Sequence, residues 1–231
     1  MTENQPIYGL VIVAHPDDES FLFAGTSLKL ADEGKQICII CATHGEKGAD
    51  RLHRNLSENK MAEIRTEELR AACKILNCSA MEYFDYPDGE LENSDFKQLV
   101  DKLSNKIKHY APAIILTFGH EGVSGHKDHI VIGRAAQAAA RAAKHKVREI
   151  WLASIPASII QSFNEHLAQR KVHYSHFKKQ ELKGVPDNEL LMVDISKYAK
   201  QKHEALKAHQ SQYLPYFHMF LEHECFEVIK P

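Results

Sequence analysis

Apolar and polar positions alternate along this chain in short blocks of two kinds. Ile7-Tyr8-Gly9-Leu10-Val11-Ile12-Val13 is a β-rich apolar run, and its shortness and abrupt polar end predict a buried strand. Asp18 to Gly34 follows with helical spacing through Phe21, Leu22, Gly25 and Leu28 and a stop at Glu33-Gly34. Gln36 to Ala42 reads as a second buried strand. The charged segment from Lys47 to Asn59 has no period and is expected to be a long loop, a candidate lid. Met61, Ile64, Leu69, Ala72, Ile75 and Leu76 then mark a helix, and Ala80 to Phe84 a short third strand. The clearest amphipathic helix spans Asp95 to His109, where Phe96, Leu99, Val100, Leu103 and Ile107 form one stripe.

Ala113 to Phe118 predicts a fourth strand, Ile130 to Ala143 an alanine-rich helix, Glu149 to Ala153 a fifth strand and Pro156 to Ala168 another helix. A Lys-rich linker, Lys171 to Asn188, leads to a short strand at Leu190 to Ile195. Tyr198 to Gln212 reads as a helix, and the tail from Tyr213 to Pro231 is expected to pack on the body. Strand and helix alternate for over a hundred residues, which argues for a mostly parallel sheet with right-handed crossovers. The expectation is one α/β domain over residues 1–231 with a C-terminal elaboration. In such sheets ligands bind outside the carboxyl ends of the strands.

Composition narrows the partners. A net charge of −2 and no lysine cluster provide no field for nucleic acid or an anionic membrane. The N-terminal apolar run is too short for a membrane span or signal peptide. Five cysteines, at 38, 41, 73, 78 and 225, are an odd, scattered set that points to a reducing cytoplasm without a disulfide framework. Cys38 and Cys41 have the spacing of a redox or zinc pair, but they sit inside an apolar strand and are expected to be core. Partners are therefore expected to be small molecules or further copies of the chain in a homo-oligomer.

The polar turns after the predicted strands carry the candidate chemistry. Behind the first strand comes Ala14-His15-Pro16-Asp17-Asp18-Glu19, and behind the fourth Gly125-His126-Lys127-Asp128-His129. Alone, the first could be a turn whose carboxylates cap a helix. Two His and Asp clusters delivered to one sheet edge are hard to explain as capping. A catalytic zinc wants three protein ligands and an open position for water. His15 and Asp18 offer two ligands, and His126 or His129 the third. Asp17 can sit beside the water and take its proton. The second imidazole, held by a carboxylate such as Asp128, can stabilise an oxyanion or protonate a leaving amine.

The pair of clusters resembles the signature of the LmbE-like, or PIG-L, family of zinc-dependent N-acetylglucosaminyl deacetylases. Thr43-His44-Gly45-Glu46-Lys47-Gly48, Arg65 with Glu68-Leu69, Asp88-Gly89-Glu90-Leu91, and Lys202 through His209-Gln210-Ser211-Gln212 are similar to further family segments. The chain departs from the family's pattern at His120 and Glu121, and Val123-Ser124-Gly125-His126 leans toward the phosphatidylinositol-sugar branch. The resemblance implies a Rossmann-like fold, with helices on both faces of the sheet, and His15, Asp18 and His129 as ligands of Zn2+, with Fe2+ able to use the same set. It implies Asp17 as general base, His126 as oxyanion stabiliser oriented by Asp128, and Glu46 and Arg65 near the sugar. The implied activity is removal of an acetyl group from an N-acetylated amino sugar or its glycoconjugate. Hydrolysis of a different amide and a non-catalytic binding role are the alternatives, and the unligated carboxylate of Asp17 argues against the second. Among the other histidines, His209 stands out because it lies in one of the matching segments.

Overall fold

The computed structural model describes residues 6–143, 147–170, 182–213 and 221–231. Strand β1 (Ile7–Val13) feeds two consecutive helices, α1 (Asp18–Leu22) and α2 (Ala24–Asp32), before β2 (Gln36–Thr43). Helix α3 (Glu58–Ile75) leads to β3 (Ala80–Tyr86), and α4 (Phe96–Tyr110) to β4 (Ile114–Phe118). A short turn of helix, α5 (Gly122–Gly125), precedes α6 (Lys127–Ala142), and β5 (Glu149–Ala153) follows. The remainder contributes α7 (Ala157–Arg170), β6 (Leu191–Asp194), α8 (Ala199–Ala208) and β7 (His223–Ile229).

The seven strands lie in the order β3-β2-β1-β4-β5-β7-β6. β1 to β5 pair in parallel. The chain steps outward from β1 through β2 to β3, then jumps back across β1 to place β4 and β5 on its other side. Right-handed crossovers on the two sides of that reversal put helices on opposite faces. Accordingly α4 packs on α6, while α3 and α2 pack on α8. The strand order reverses between β1 and β4, so the crevice at their carboxyl ends is where such a sheet binds ligands. Both His and Asp clusters emerge there.

The central strands are apolar because both faces are covered. Leu10, Val11, Ile12 and Val13 of β1 and Ile39, Ile40 and Cys41 of β2 are fully buried. Cys38 and Cys41 are core as expected, and burial pushes the Cys38 thiol up to about 12. All five cysteines are free thiols. Among the described residues, no helix is long and apolar enough to cross a membrane.

Several expected elements are corrected. The helix expected from Asp18 to Gly34 breaks at Phe23, whose φ of −133° and ψ of 0° are not helical. The break drives the Phe23 ring into the core, 6.0 Å from Phe226 and 6.4 Å from Phe118. It also frees the Gly25 and Thr26 amides, which donate to the buried carboxylate of Glu224 at 2.9 and 2.8 Å. Phe96 does not join its stripe: it is 41% exposed at the first turn of α4, while Leu99, Leu103 and Ile107 are buried. Helix α6 starts at Lys127 instead of Ile130, because the His126 ring caps it by accepting the Asp128 N–H at 3.2 Å.

The C-terminal elaboration completes the sheet. The tail is expected to pack on the body, and it does so as a strand: β7 inserts between β5 and β6, antiparallel to both. Helix α8 stops at Ala208, with His209 as its C-cap, instead of continuing to Gln212. The turn beyond it instead presents Ser211, whose N–H and hydroxyl donate to Glu68 at 2.7 and 2.6 Å. The loop before α3 is anchored by the Arg51 N–H on the Ser211 carbonyl (2.9 Å) and by Gln212 Nε2 on the Ala49 carbonyl (3.1 Å). Of the expected linker, residues 171–181 lie outside the described residues.

Candidate metal centre

Strand β1 ends by turning sharply into α1, and that turn sets the side chains of His15, Asp17, Asp18 and Glu19. The His15 N–H donates to Asp18 Oδ2 at 2.8 Å, closing the turn around Pro16. Asp17 then takes φ 124° and ψ −28°, a conformation that favours glycine and costs a residue with a Cβ on the order of 1–3 kcal/mol. Its carbonyl accepts the Ser20 and Phe21 amides, both at 3.0 Å, and so starts α1. His15, Asp18 and Glu19 are buried, and Asp17 is half-buried at the edge.

The second cluster comes from the β4–α6 turn, which is itself strained at Val123 (φ 63°). The turn points the Gly122 carbonyl at His129 Nδ1, 2.9 Å away. His129 stacks on Phe118, with ring centroids 4.2 Å apart. Its Nε2 then lies 3.1 Å from His15 Nδ1 and 3.2 Å from Asp18 Oδ1. His15 Nδ1 to Asp18 Oδ2 is 3.6 Å. Donors of a tetrahedral ion, at about 2.0–2.2 Å from it, stand roughly 3.3–3.6 Å apart. The observed 3.1, 3.2 and 3.6 Å lie at or just inside that spacing, close enough for an ion to be held by small side-chain movements.

Proton placement makes the same point by a separate route. His129 Nδ1 faces a carbonyl, so it must carry hydrogen, which leaves Nε2 as a lone pair. His15 Nε2 faces two carboxylates, Asp88 Oδ1 at 3.1 Å and Asp128 Oδ2 at 3.2 Å. It too must carry hydrogen, leaving Nδ1 as a lone pair in the neutral ring. Two lone pairs and a carboxylate thus converge, an arrangement that repels unless a cation sits between them. A proton on His15 Nδ1 would relieve the same repulsion. Burial opposes it, but hydrogen bonds to Asp128, Asp18 and Asp88 hold His15 well above its ordinary value. Against the same cost of burial, the rings of His129 and His15 hold Asp18 well below the usual carboxylate range.

His15 belongs to two other groups of possible ligands, one with His126 and His129 and one with Asp88 and Asp128. Their carboxylates are engaged by protein donors: Asp88 Oδ2 accepts the Lys47 N–H at 2.9 Å, and Asp128 accepts the Gly89 and Leu91 amides at 2.7 and 3.1 Å. These two acids also knit the turn after β3 to the site. Asp128 was expected to orient His126; its carboxylate lies on His15 instead, and only its backbone N–H meets the His126 ring. His126 is exposed, with its ring centroid 4.8 Å from that of His15 and 4.9 Å from that of His129. Because its Nδ1 accepts a backbone N–H, the neutral ring carries hydrogen on Nε2. Burial and the charges of His15 and His129 lower its pKa.

Glu46 and Arg65 both lie at this edge but point inward. Glu46 Oε1 accepts the Asp88 N–H at 2.8 Å. The Arg65 guanidinium is 3% exposed, donates to the Gly45 carbonyl at 2.8 Å and to the Pro16 carbonyl, and sits 3.2 Å from Asp17 Oδ2. Gly45 permits this, since a Cβ there would lie 2.3 Å from Arg65 Nη1. Burial raises the pKa of Asp17, Arg65 pulls it down, and the Asp18 charge raises it further; the net shift is upward.

Three residues of the site have no role assigned from the sequence, although His209 stands out there among the histidines. Asp88 lies in a polar turn at the right edge but is one of several acids there. Glu19 looked like a helix-start acid, and instead it accepts the Asp17 N–H at 3.0 Å through Oε2. His209 meets Glu19 at 2.7 Å from 190 residues away.

A doubly wound sheet with converging imidazole and carboxylate donors at its switch point defines an α/β protein with a metal-competent site. Similarity to known proteins makes this more specific. The profile of the family described as PIG-L, GlcNAc-PI de-N-acetylase, matches residues 10–140, and the chain belongs to that family. The probable N-acetyl-alpha-D-glucosaminyl L-malate deacetylase 2 of Bacillus cereus is 30% identical over 207 residues, 88% of this chain and 82% of that protein. A 1D-myo-inositol 2-acetamido-2-deoxy-alpha-D-glucopyranoside deacetylase of Saccharopolyspora erythraea is 26% identical, over 92% of this chain and 80% of the relative. The fold is shared with the 4-carboxy-2-hydroxymuconate hydratase GalB of Pseudomonas putida at a TM-score of 0.69, with 17% identity and 97% of each chain covered.

Proposed function

We propose that this protein is a zinc-dependent N-deacetylase that hydrolyses the acetamide of an N-acetylated amino sugar or a glycoconjugate of one. The observation that carries the reading is the facing pair of lone pairs on His15 Nδ1 and His129 Nε2, closed by Asp18, with the carboxylate of Asp17 held by Arg65 within reach of the Asp18 and His15 charges. The fold is shared with a hydratase, so the sheet does not choose the reaction; the deacetylase relatives and Asp17 support amide hydrolysis. His15, Asp18 and His129 would hold the ion, and iron(II) suits the same donors. When bound, zinc supplies positive charge that polarises the amide carbonyl and lowers the pKa of a water toward about 7.

The chain's own groups do the rest. Asp17 takes a proton from the attacking water through the oxygen not facing Arg65; its raised pKa suits a base that must later release that proton. A C–O bond forms at the carbonyl, and His126 Nε2–H donates to the developing oxyanion. The C–N bond then breaks as the proton from Asp17 passes to the amine nitrogen, leaving acetate and the free amino sugar. Asp128 and Asp88 hold the His15 tautomer, and the Gly122 carbonyl holds that of His129. The five free thiols support a reducing compartment such as the cytoplasm.

The test is acetate release by zinc-loaded protein from a panel of N-acetylglucosamine conjugates, including malate and inositol glycosides, with a simple N-acetyl amide as control. Release from the sugar conjugates only is the expected result. Release from the amide alone would replace the sugar with another amide, and no release from any member would sink the deacetylase reading.

A further inference from the structure

The Asp17 backbone is held in a glycine-favouring conformation by contacts on both of its peptide groups. Its carbonyl is fixed by the first amides of α1, while its N–H has one acceptor, Glu19 Oε2 at 3.0 Å. Glu19 is 1% exposed, so its carboxylate must be fully partnered. Its other oxygen accepts the Ser20 hydroxyl at 2.5 Å and meets His209 Nε2 at 2.7 Å. His209 is also 1% exposed, and its Nδ1 has no hydrogen-bond partner among the described residues, so among them Glu19 is the hydrogen-bond partner that orients the ring. The ring's origin is set by the end of α8: the His209 N–H donates to the Leu206 carbonyl, and its own carbonyl accepts the Gln212 and Tyr213 amides.

We propose that Glu19 and His209 are positioning residues for the Asp17 carboxylate, so that the end of α8 governs turnover without touching substrate; the proposal rests on the reading of Asp17 as general base. Glu19 has three carboxylate contacts, and two of them bind within its own turn. Without His209 the carboxylate keeps only those local contacts and can rotate about its side-chain torsions. The Asp17 N–H then loses a fixed acceptor, and its φ is free to relax toward negative values. Such a relaxation swings the Asp17 side chain away from the reacting carbonyl, while His15, Asp18 and His129 keep their own separate anchors. Displacements of about 1 Å at a reacting group lower rates by roughly 100-fold.

The experiment compares wild-type, His209→Ala, His209→Gln, Asp17→Asn and the Asp17→Asn/His209→Ala double variant, each zinc-loaded. Four readouts are taken: kcat and KM on an N-acetylglucosamine conjugate, metal content, and the Asp17 φ in a crystal structure. His209→Ala is expected to lower kcat about 10- to 100-fold with KM within about twofold, metal content unchanged and φ relaxed. His209→Gln, which keeps a donor toward Glu19, is expected to recover part of the loss. In the Asp17→Asn background, His209→Ala is expected to cause no further loss, because both act through one carboxylate. Unchanged kcat in His209→Ala, an equal further loss in the double variant, loss of metal, or an Asp17 φ still near its wild-type value would each overturn the proposal. Asp17→Asn retaining wild-type kcat would instead overturn the base reading, and the φ measurement would still decide whether the pair holds Asp17. If His209→Ala fails to fold, His209→Gln and Glu19→Gln carry the same comparison.

Discussion

His15 Nδ1 faces His129 Nε2 across 3.1 Å while the far nitrogen of each ring is committed to an oxygen acceptor. While both rings are neutral, neither can donate to the other without giving up its outer partner, so the pair is built for a cation, a metal ion or a proton. Exhaustive chelation is expected to abolish activity, and added zinc to restore it. His129→Ala should bind less than a tenth of the wild-type metal, read by elemental analysis of dialysed protein. Full activity in the presence of chelator would rule the metal mechanism out.

The carboxylate of Asp128 lies on His15 Nε2 as well as on two amides of the β3 turn. Asp128→Asn keeps the shape and can keep an oxygen toward Gly89 and His15, but it removes the negative charge and sets an NH2 against the Leu91 N–H. The loss of that charge makes His15 Nδ1, the atom aimed at the ion, a weaker donor. Zinc affinity is expected to fall by about 10- to 100-fold, with Asp88 limiting the loss. Competition with a chromophoric chelator measures it, and wild-type affinity would remove Asp128 from the support of the metal site.

Asp17 and Asp18 are neighbours with opposite expected behaviour. Asp17→Asn is expected to lower kcat by about 100- to 10,000-fold while leaving metal content intact, because Asp17 contacts Arg65 and not the facing nitrogens. Asp18→Asn is expected to lose metal. If the metal is lost in Asp17→Asn instead, the base and the ligand have been exchanged.

How far the sequence could lead is clearest at these turns. The five parallel strands were legible because each is a short apolar run with a polar stop. Residues His15, Asp18 and His129 were legible as candidates because the turns after two such strands must share one edge. What could not be read depends on distant partners. The break at Phe23 is set by two aromatic rings and by Glu224, none of them close in sequence. Strand β7 pairs with β5, more than 70 positions earlier, and its short mixed pattern resembles any exposed tail. Arg65 is placed near the sugar by the family resemblance alone; the glycine at 45 lets its guanidinium turn onto the Gly45 and Pro16 carbonyls and Asp17, contacts that no spacing announces.

Lys202 and Glu224 form an ion pair at 2.7 Å with almost no exposure, and Glu224 also takes the first amides of α2. The pair joins α8 and β7 to the helix behind the site. Lys202→Met leaves a buried carboxylate without its counter-ion, which costs about 3–5 kcal/mol. Chemical denaturation should show that loss. Lys202→Met combined with Glu224→Gln should recover part of it, since no charge is then left unpaired. A loss under about 1 kcal/mol in the single variant would mean that the two backbone amides suffice for Glu224.

The Glu19 and His209 pair carries a pH signature whose sign follows from its two shifts. For His209, burial opposes charge, yet the Glu19 charge and hydrogen bond raise its pKa. Its contribution to stability is therefore fully present below the unfolded value of about 6.5 and is lost as pH rises through the raised folded value. For Glu19, burial raises the pKa, but His209, Ser20 and the Asp17 amide lower it overall. Its contribution is present above about 4.5 and is lost as pH falls through the lowered folded value. The pair therefore stabilises most between about pH 4.5 and 6.5. The difference in unfolding free energy between wild-type and His209→Gln, measured in urea with excess chelator, should be largest in that window and should shrink toward alkaline pH. A difference that stays constant from pH 5 to 9 would show that His209 is held neutral, and the pair would then be a neutral hydrogen bond to a carboxylate instead of an ion pair.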